Sequence, residues 1–319
     1  MKYYRVIVIG GGPAGAACAG NLIKGGVDCL VLDKAAFPRP KICAGWITPG
    51  IFQNLEILPS EYPHSLTRFP YLRINLGSIP LLRPGTQYAV RRLEFDSWLL
   101  GRSGADFIQH EVKIVQQIGN GFHVDDRFRS DFIIGAGGTH CPVYHKFFKE
   151  NNPRMGSAIT AMEEEYRFEW RDPICRLWFF WHGLPGYAWY VPKKDGYVNI
   201  GIGGNARKIN QRGGSIREYW EQFVSFLVDR EFIQERDFRP QGYLYYLRGT
   251  KPVLQQGNLY LVGDSAGIST LDMGEGIGPA IHSGLLAASS IIHGTTYRLG
   301  EIPELSLLPS GLSWLVKMN

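Results

Sequence analysis

The chain has 319 residues, of which 45% are hydrophobic and 20% charged, and it carries a formal net charge of +5. This is enough apolar material for a substantial core and about two domains, which excludes a disordered or fibrous chain. No run of five or six like charges occurs, and no apolar run approaches the ~18 to 20 residues of a membrane span, so neither a nucleic-acid-binding tail nor a transmembrane helix is indicated.

Tyr4 to Ile9 reads as a buried strand, Pro13 to Leu22 as a helix of small residues, and Val27 to Leu32 as a second strand. The apolar stretch Val6 to Gly12 is too short and too rich in glycine for a signal peptide, so a cytoplasmic location is expected. Ala35 to Gly45 is irregular, with prolines and basic residues. Leu72 to Leu82 reads as short strands, Leu93 to Arg102 as a helix, Phe107 to Val124 as a small β meander, and Phe132 to Gly135 as a buried strand running into Gly137 and Gly138. Alternation from Ser157 to Gly203, including Arg176 to Trp181 and Val198 to Ile202, predicts an antiparallel sheet. Many aromatic residues fall between Tyr166 and Leu247, as expected of a layer that encloses a large apolar cavity. Ile216 to Phe232 has the spacing of a surface helix. The chain then returns to a strand, Leu259 to Val262, a turn, Gly263 to Gly267, and a helix from about Glu275 to Ile292. With no repeat and no clean linker, the two domains should be interleaved.

The opening strand, turn and helix carry Gly10-x-Gly12-x-x-Gly15, and Asp33 ends the second strand at about the 20-residue distance of a ribose ligand. The first glycine permits the tight turn, the second lets backbone N–H groups approach a pyrophosphate, and the third lets helix and strand pack closely. Pro13 and Ala14 complete that turn, and Lys34 flanks Asp33. NAD and FAD proteins share this opening, so the far end must discriminate between them. Gly257 to Gly267, with Gly263-Asp264-Ser265-Ala266-Gly267 at its close, resembles the second FAD motif of flavoprotein hydroxylases and reductases, in which the aspartate contacts the ribityl chain. Two distant elements converging on one elongated ligand imply FAD and a glutathione-reductase-like two-domain arrangement. The last helix would then aim its positive end at the N1–C2=O edge of the flavin.

Four segments resemble the geranylgeranyl reductase family, within the para-hydroxybenzoate hydroxylase-like flavoproteins. Phe37-Pro38-Arg39-Pro40-Lys41-Ile42-Cys43-Ala44-Gly45 is similar to the family's F-P-R-x-K-x-C-G-G, and Arg92-x-x-Phe95-Asp96-x-Trp98-Leu99 to its R-x-x-F-D-x-W-L. Tyr187-Ala188-Trp189-Tyr190-Val191-Pro192 is similar to Y-x-W-x-F-P, and Gly274-Glu275-Gly276-Ile277 to G-E-G-I. The resemblance implies an α/β fold in which an FAD/NAD(P)-binding Rossmann-like domain is interleaved with a β-rich, antiparallel-sheet substrate domain. It implies that Arg39, Lys41, Cys43, Ala44, Gly45, Arg92, Gly137, Gly263, Asp264, Gly274, Gly276 and Ile277 lie at FAD, and that Tyr187, Trp189 and Pro192 line a substrate cavity. It also makes Cys43 the acid that protonates a carbon after hydride delivery from the flavin. Taken alone, a cysteine is as readily a small buried hydrophobe. Arg39 and Lys41 could depress its pKa or bind phosphate. The five cysteines are odd in number, without the paired spacing of a zinc site; reduced thiols are expected, with Cys141 and Cys175 structural. His140, His145 and His282 form no metal-ligand pattern, so no metal is expected.

The sequence departs from the family at several points. Gly135-Ala136-Gly137-Gly138 stands where related enzymes carry G-A-D-G, Ala44 replaces a glycine and Val191 a phenylalanine. The chain also stops at Asn319 without the family's longer helical C-terminus, which implies a more open substrate enclosure. The expected FAD domain comprises residues 1–68, 86–150 and 252–296, the substrate domain 69–85 and 151–251, and a short tail 297–319. The expected reaction is reduction of alkene bonds in an isoprenoid-like or other apolar substrate, such as a prenyl lipid, by hydride from reduced flavin. NAD(P)H or a ferredoxin-like protein would be the electron donor. No nucleic-acid partner is expected, and the weak positive bias suits peripheral contact with a membrane surface. Two other readings stand beside this one: a flavin-dependent monooxygenase or halogenase, whose G-W-x-W-x-I-P the 186–192 segment also resembles, and an electron-transfer flavoprotein acting on a quinone.

Overall fold

Val6 to Ile9 is apolar at every position and buried on both faces, the pattern of a central parallel strand. The strand Lys2–Ile9 does lie in the middle of a sheet, between Cys29–Asp33 and Phe128–Gly135, and is parallel to both. Asp106–Gln109 and Leu259–Leu261 extend the sheet on its two sides, also in parallel. Phe107, expected in a β meander, therefore belongs to a parallel strand. The meander is confined to Val115–Ile118 and Gly121–Val124, which leads into Phe128–Gly135. Two helices cover this sheet, Pro13–Lys24 and Ile277–His293, and small residues bring them together. A Cβ added at Gly284 would lie 2.2 Å from the carbonyl oxygen of Ala14.

The computed structural model describes residues 1–150 and 156–308. They divide into two compact units. The first is built from Met1–Arg39, Phe95–Gly156 and the chain from Tyr246 onward, the second from Pro40–Glu94 and Ser157–Tyr245. The tail expected at 297–319 falls outside the described residues beyond 308.

The second unit is an eight-stranded sheet in the order Gln241–Tyr246, Ala158–Arg167, Tyr197–Asn205, Gly186–Lys193, Arg176–Phe179, Leu66–Leu76, Ile79–Val90, Trp46–Ile47. Within it Arg176–Phe179 runs parallel to Leu66–Leu76. Residues 40–68 and 86–94 belong here, although the sequence reading assigned them to the nucleotide-binding half. The reason is a long hairpin, Leu66–Leu76 with Ile79–Val90, that turns at Gly77 (φ +58°) and carries Trp46–Ile47 on its outer side. Pro70, Pro80 and Pro84 interrupt the strand pattern and hid the hairpin from the sequence. The strand expected over Arg176 to Trp181 stops at Phe179, because Phe180 takes a left-handed backbone (φ 54°).

One face of this sheet packs on the helix Ile216–Asp229, with Trp178, Tyr190, Ile200 and Ile202 against Trp220, Phe223 and Leu227. The helix begins with a capping box: Glu218 N donates to Ser215 Oγ (3.2 Å) and Ser215 N to Glu218 Oε2 (2.8 Å). Strand alternation sends the intervening residues to the other face. There Glu163, Gly201 and Trp189 stand abreast in three adjacent strands, followed by Glu165, Asn199 and Val191.

Candidate functional site

In the first unit the glycines of the opening turn are required by close approach. Gly10 has φ +118°, and a Cβ there would lie 2.3 Å from Ala136 O and 2.8 Å from Gly137 N; at Gly15 it would lie 1.9 Å from Gly10 O. Gly137 is thereby brought beside Gly10. A Cβ added at Gly137 would lie 3.1 Å from the Cα of Cys141, a tight approach. The helix Pro13–Lys24 follows Gly12 with no side-chain cap and no acidic residue in its first turn, the local condition for an anion at a helix N-terminus. Arg39 lies beside it, with Nη2 3.4 Å from a Cβ built at Gly12. It pairs at 3.6 Å with the fully buried carboxylate of Asp96, so two separate motifs meet in one ion pair at the glycine turn. Asp33 is half-buried; its Oδ2 accepts from Gly11 N (2.8 Å) and its Oδ1 from Ala35 N (2.9 Å), while Lys34 is exposed.

The closing motif folds back onto this turn. Gly263 has φ +62°, and a Cβ there would lie 2.9 Å from that of Ala14, so only glycine lets the two motifs touch. Ser265 Oγ donates to Gly135 O and ties the turn to the strand Phe128–Gly135. Asp264 Oδ1 would lie 3.3 Å from a Cβ at Gly276, which puts this carboxylate at the start of Ile277–His293. Gly274 (φ +61°) and Gly276 shape the approach to Ile277. The buried Glu275, which the sequence reading gave no role, accepts from Gly278 N (2.6 Å) and so takes one amide at the helix end that was expected to face the flavin. Burial pushes the Glu275 carboxyl up to about 7. His282 is half-buried on the same helix, and burial holds its imidazole below the usual range.

In the second unit Cys43 is half-buried, and burial pushes its thiol up. The Arg92 guanidinium beside it favours the thiolate, and Glu163 opposes it. Arg92 itself is buried. Gly45 N donates to Cys43 Sγ at 3.4 Å. Gly45 has φ +68°, and a Cβ there would lie 2.1 Å from Val90 O and 2.7 Å from Lys193 Nζ, so the loop closes over the sheet only with glycine at this point; Ala44 beside it is half-buried. The Cys43 peptide is held from two strands: its N–H donates to Glu163 Oε1, and its carbonyl accepts from Asn199 Nδ2 (3.4 Å). Asn199 Oδ1 in turn accepts from Trp189 Nε1 (2.7 Å). Cys43, Arg92 and Trp189 are thus joined through short polar links, and Tyr187 adjoins Trp189 with ring centroids 5.7 Å apart. Pro192 does not join them. It alternates to the opposite face, in register with the core residue Val198. Nor does Lys41 offer a free ammonium, since its Nζ sits 3.3 Å above the ring of Tyr243.

The sequence reading missed the polar layer under this loop. Lys193 is only 1% exposed and lies 2.5 Å from Glu165 Oε2, while Arg91 reaches Glu165 Oε1 and Glu94 Oε1, each at 3.0 Å. Burial opposes the Glu165 carboxylate, but Lys193 and Arg91 outweigh it and hold the group below its usual range. Glu163 has no such surplus of cations, and burial pushes it up to about 7. The acid run Glu163-Glu164-Glu165 inside a strand, together with glycines at alternate positions 201 and 203, was the available signal. Gly201 matters because a Cβ there would lie 2.3 Å from the Trp189 ring and 2.8 Å from Glu163 Cβ.

The FAD binding domain family matches residues 3–58. A digeranylgeranylglycerophospholipid reductase of Methanosphaera stadtmanae is 26% identical across 90% of this chain and 77% of its own length. A menaquinone reductase of Mycobacterium tuberculosis is 27% identical across 89% and 75%. The crystal structure of a geranylgeranyl bacteriochlorophyll reductase-like protein from Thermoplasma acidophilum shares the fold, with a TM-score of 0.79 at 22% identity, covering 100% of this chain and 84% of that one. This chain is an FAD-dependent oxidoreductase, similar in sequence to geranylgeranyl-type reductases. The residues of the flavoprotein's first unit fit the cofactor: Gly10, Gly15 and Gly263 leave no room for a Cβ, the first helix is uncapped, and Arg39 adds a guanidinium at the turn.

Proposed function

We propose that this flavoprotein reduces carbon–carbon double bonds of an apolar, isoprenoid-like lipid, with Cys43 as the proton donor. The observation that carries the proposal is the state and tethering of Cys43: burial favours its protonated thiol, and its peptide is linked through Asn199 to Trp189. A monooxygenase needs no protonated thiol at that position. The names of the relatives, reductases of a prenyl phospholipid and of menaquinone, support an apolar substrate. Bound FAD supplies hydride when reduced. The chain's own residues do the rest. Asp33, Arg39, Asp264 and the glycine turns hold the cofactor, and Tyr187 with Trp189 offers an aromatic face to the alkene. Cys43 delivers the proton, and Arg92 stabilises the thiolate left behind. The electron donor is NAD(P)H or a ferredoxin-like protein; titrating the bound flavin anaerobically with each distinguishes them.

The test is anaerobic mixing of pre-reduced protein with a panel of prenyl lipids, following flavin absorbance and product saturation. Reoxidation with matched formation of a more saturated lipid is expected. Failure of every alkene to reoxidise the flavin, with a hydroxylated or halogenated product formed only in oxygen, would replace the reductase reading with the oxygenase one.

A further inference from the structure

Glu163 is buried, and its two carboxyl oxygens stand in different situations. Oε1 accepts the backbone N–H of Cys43, while Oε2 is buried and makes no hydrogen bond of good geometry among the described residues. An ionised carboxylate in that position carries an unsatisfied charged oxygen, which is costly. The cations nearby are already committed. Lys193, from the strand Gly186–Lys193, lies against Glu165, and Arg91 lies between Glu165 and Glu94. Arg92 faces the Cys43 thiol from the start of its helix. The groups around Glu163 are therefore Lys193, the anionic Glu165 on its own strand, the Cys43–Arg92 pair, and the uncharged Asn199 from Tyr197–Asn205. One guanidinium can balance one negative charge at the Cys43–Glu163 pair, but not two.

We propose that Glu163 is a proton-holding residue that acts through Cys43: its buried carboxyl holds a proton and returns it to the sulfur whenever Cys43 has lost its own. In a reductive turnover the Cys43 S–H bond breaks as a C–H bond forms on the substrate. The Glu163 O–H bond then breaks as S–H re-forms, and the carboxylate regains a proton from water once the site is open. One hydride from the reduced cofactor and one solvent proton are consumed. The use made of the proton rests on the reduction proposed above; the coupling between Glu163 and Cys43 does not.

The two can be tested separately, because the coupling is readable without any substrate. The rate of alkylation of Cys43 by iodoacetamide is measured on the flavin-loaded protein from pH 5.5 to 9 by mass analysis of the Cys43 peptide. For an isolated thiol the rate rises about tenfold per pH unit below its pKa. In the wild type, ionisation of Glu163 near pH 7 makes the thiolate harder to form, so the profile should flatten there and resume its rise above it. Glu163→Gln keeps the acceptor for Cys43 N–H but cannot ionise. Its rate should match the wild type below about pH 6 and exceed it by about tenfold above pH 8. Asn199→Ala removes no charge and leaves Glu163 able to ionise, so its profile should keep the bend, displaced to higher pH by the loss of the Asn199 interaction with the carboxyl. A constant ratio between Glu163→Gln and wild type across the range would overturn the proposal, since a merely structural glutamate gives that result. If Glu163→Gln does not accumulate folded, the wild-type profile decides: a bend near pH 7 supports the coupling, and an unbroken slope overturns it. Should the coupling hold while no alkene is reduced, the reductase reading fails and the proton-sharing pair remains.

Discussion

Cys43 lies in a motif recognisable from sequence, yet its environment comes from residues far along the chain. The match to F-P-R-x-K-x-C-G-G pointed to the thiol, and the structure surrounds it with Arg92, Glu163 and Asn199. Of the basic residues in the same motif, Arg39 meets Asp96 at the glycine turn while Lys41 is drawn to Tyr243. A linear pattern cannot make that distinction, because it depends on which aromatic ring or carboxylate lies opposite. Glu163 was illegible for a similar reason: an acid in a strand reads as solvated, and only the pairing of Ala158–Arg167 with Tyr197–Asn205 reveals that it is buried. Cys43→Ala should leave flavin retention unchanged and slow reoxidation of the reduced protein by a prenyl alkene about 100-fold, the usual size of a general-acid effect. Trp189→Ala should chiefly raise the half-saturating alkene concentration, since it removes apolar surface and leaves the proton source in place. Equal loss in the two variants, read by stopped-flow absorbance, would place Cys43 in binding instead.

Among the elements, those whose periodicity is local were legible. The opening strand, the helix Pro13–Lys24 and the amphipathic Ile216–Asp229 form close to where their patterns put them, because each is specified within a dozen or so residues. The hairpin Leu66–Leu76 with Ile79–Val90 was not, because its prolines suppress the strand signal and its register is set across the turn. The start of the last helix shows a finer failure. Glu275 follows a glycine in G-E-G-I and looked incidental, yet its carboxyl caps Gly278 N inside the protein. Burial raises its folded pKa to about 7, above the ordinary carboxyl value of 4.5. For an acid raised on folding, the associated stability is fully present below pH 4.5 and is lost as the pH climbs through 7. Glu275→Gln keeps the cap without the charge. It should therefore match the wild type in urea unfolding near pH 4.5 and exceed it by about 1–3 kcal/mol at pH 8. A difference between the two that does not vary with pH would show that the carboxyl titrates normally.

For the molecule as a whole, the glycine turn, Asp33, Arg39, Gly137, Asp264 and the G-E-G-I helix entry all belong to one compact unit, although more than two hundred residues separate the first from the last. FAD binding should therefore be coupled to the folding of that unit, and ligand effects should be separable from scaffold effects. A ligand that binds only the folded state stabilises it by RT ln(1 + [L]/Kd), about 2.7 kcal/mol at a hundredfold excess over Kd, which for a protein of this size moves the melting temperature by roughly 5–10 °C. Apo-protein should thus melt lower and recover logarithmically as FAD is added. If Asp264 holds FAD as proposed, Asp264→Ala removes a charge-assisted contact worth about 1.5–3 kcal/mol, so its recovery curve should shift to FAD concentrations at least tenfold higher while its apo melting point stays near that of the wild type. Asp272→Ala provides the contrast. The Asp272 carboxylate accepts from Ser306 N, Ser306 Oγ, Leu307 N (2.7 Å) and Leu308 N, which clamps the segment after the last helix. Its loss should lower the melting point by the same amount at every FAD concentration, without displacing the recovery curve. If both variants shift the curve alike, Asp264 is a scaffold residue and the closing turn does not grip the cofactor through that side chain.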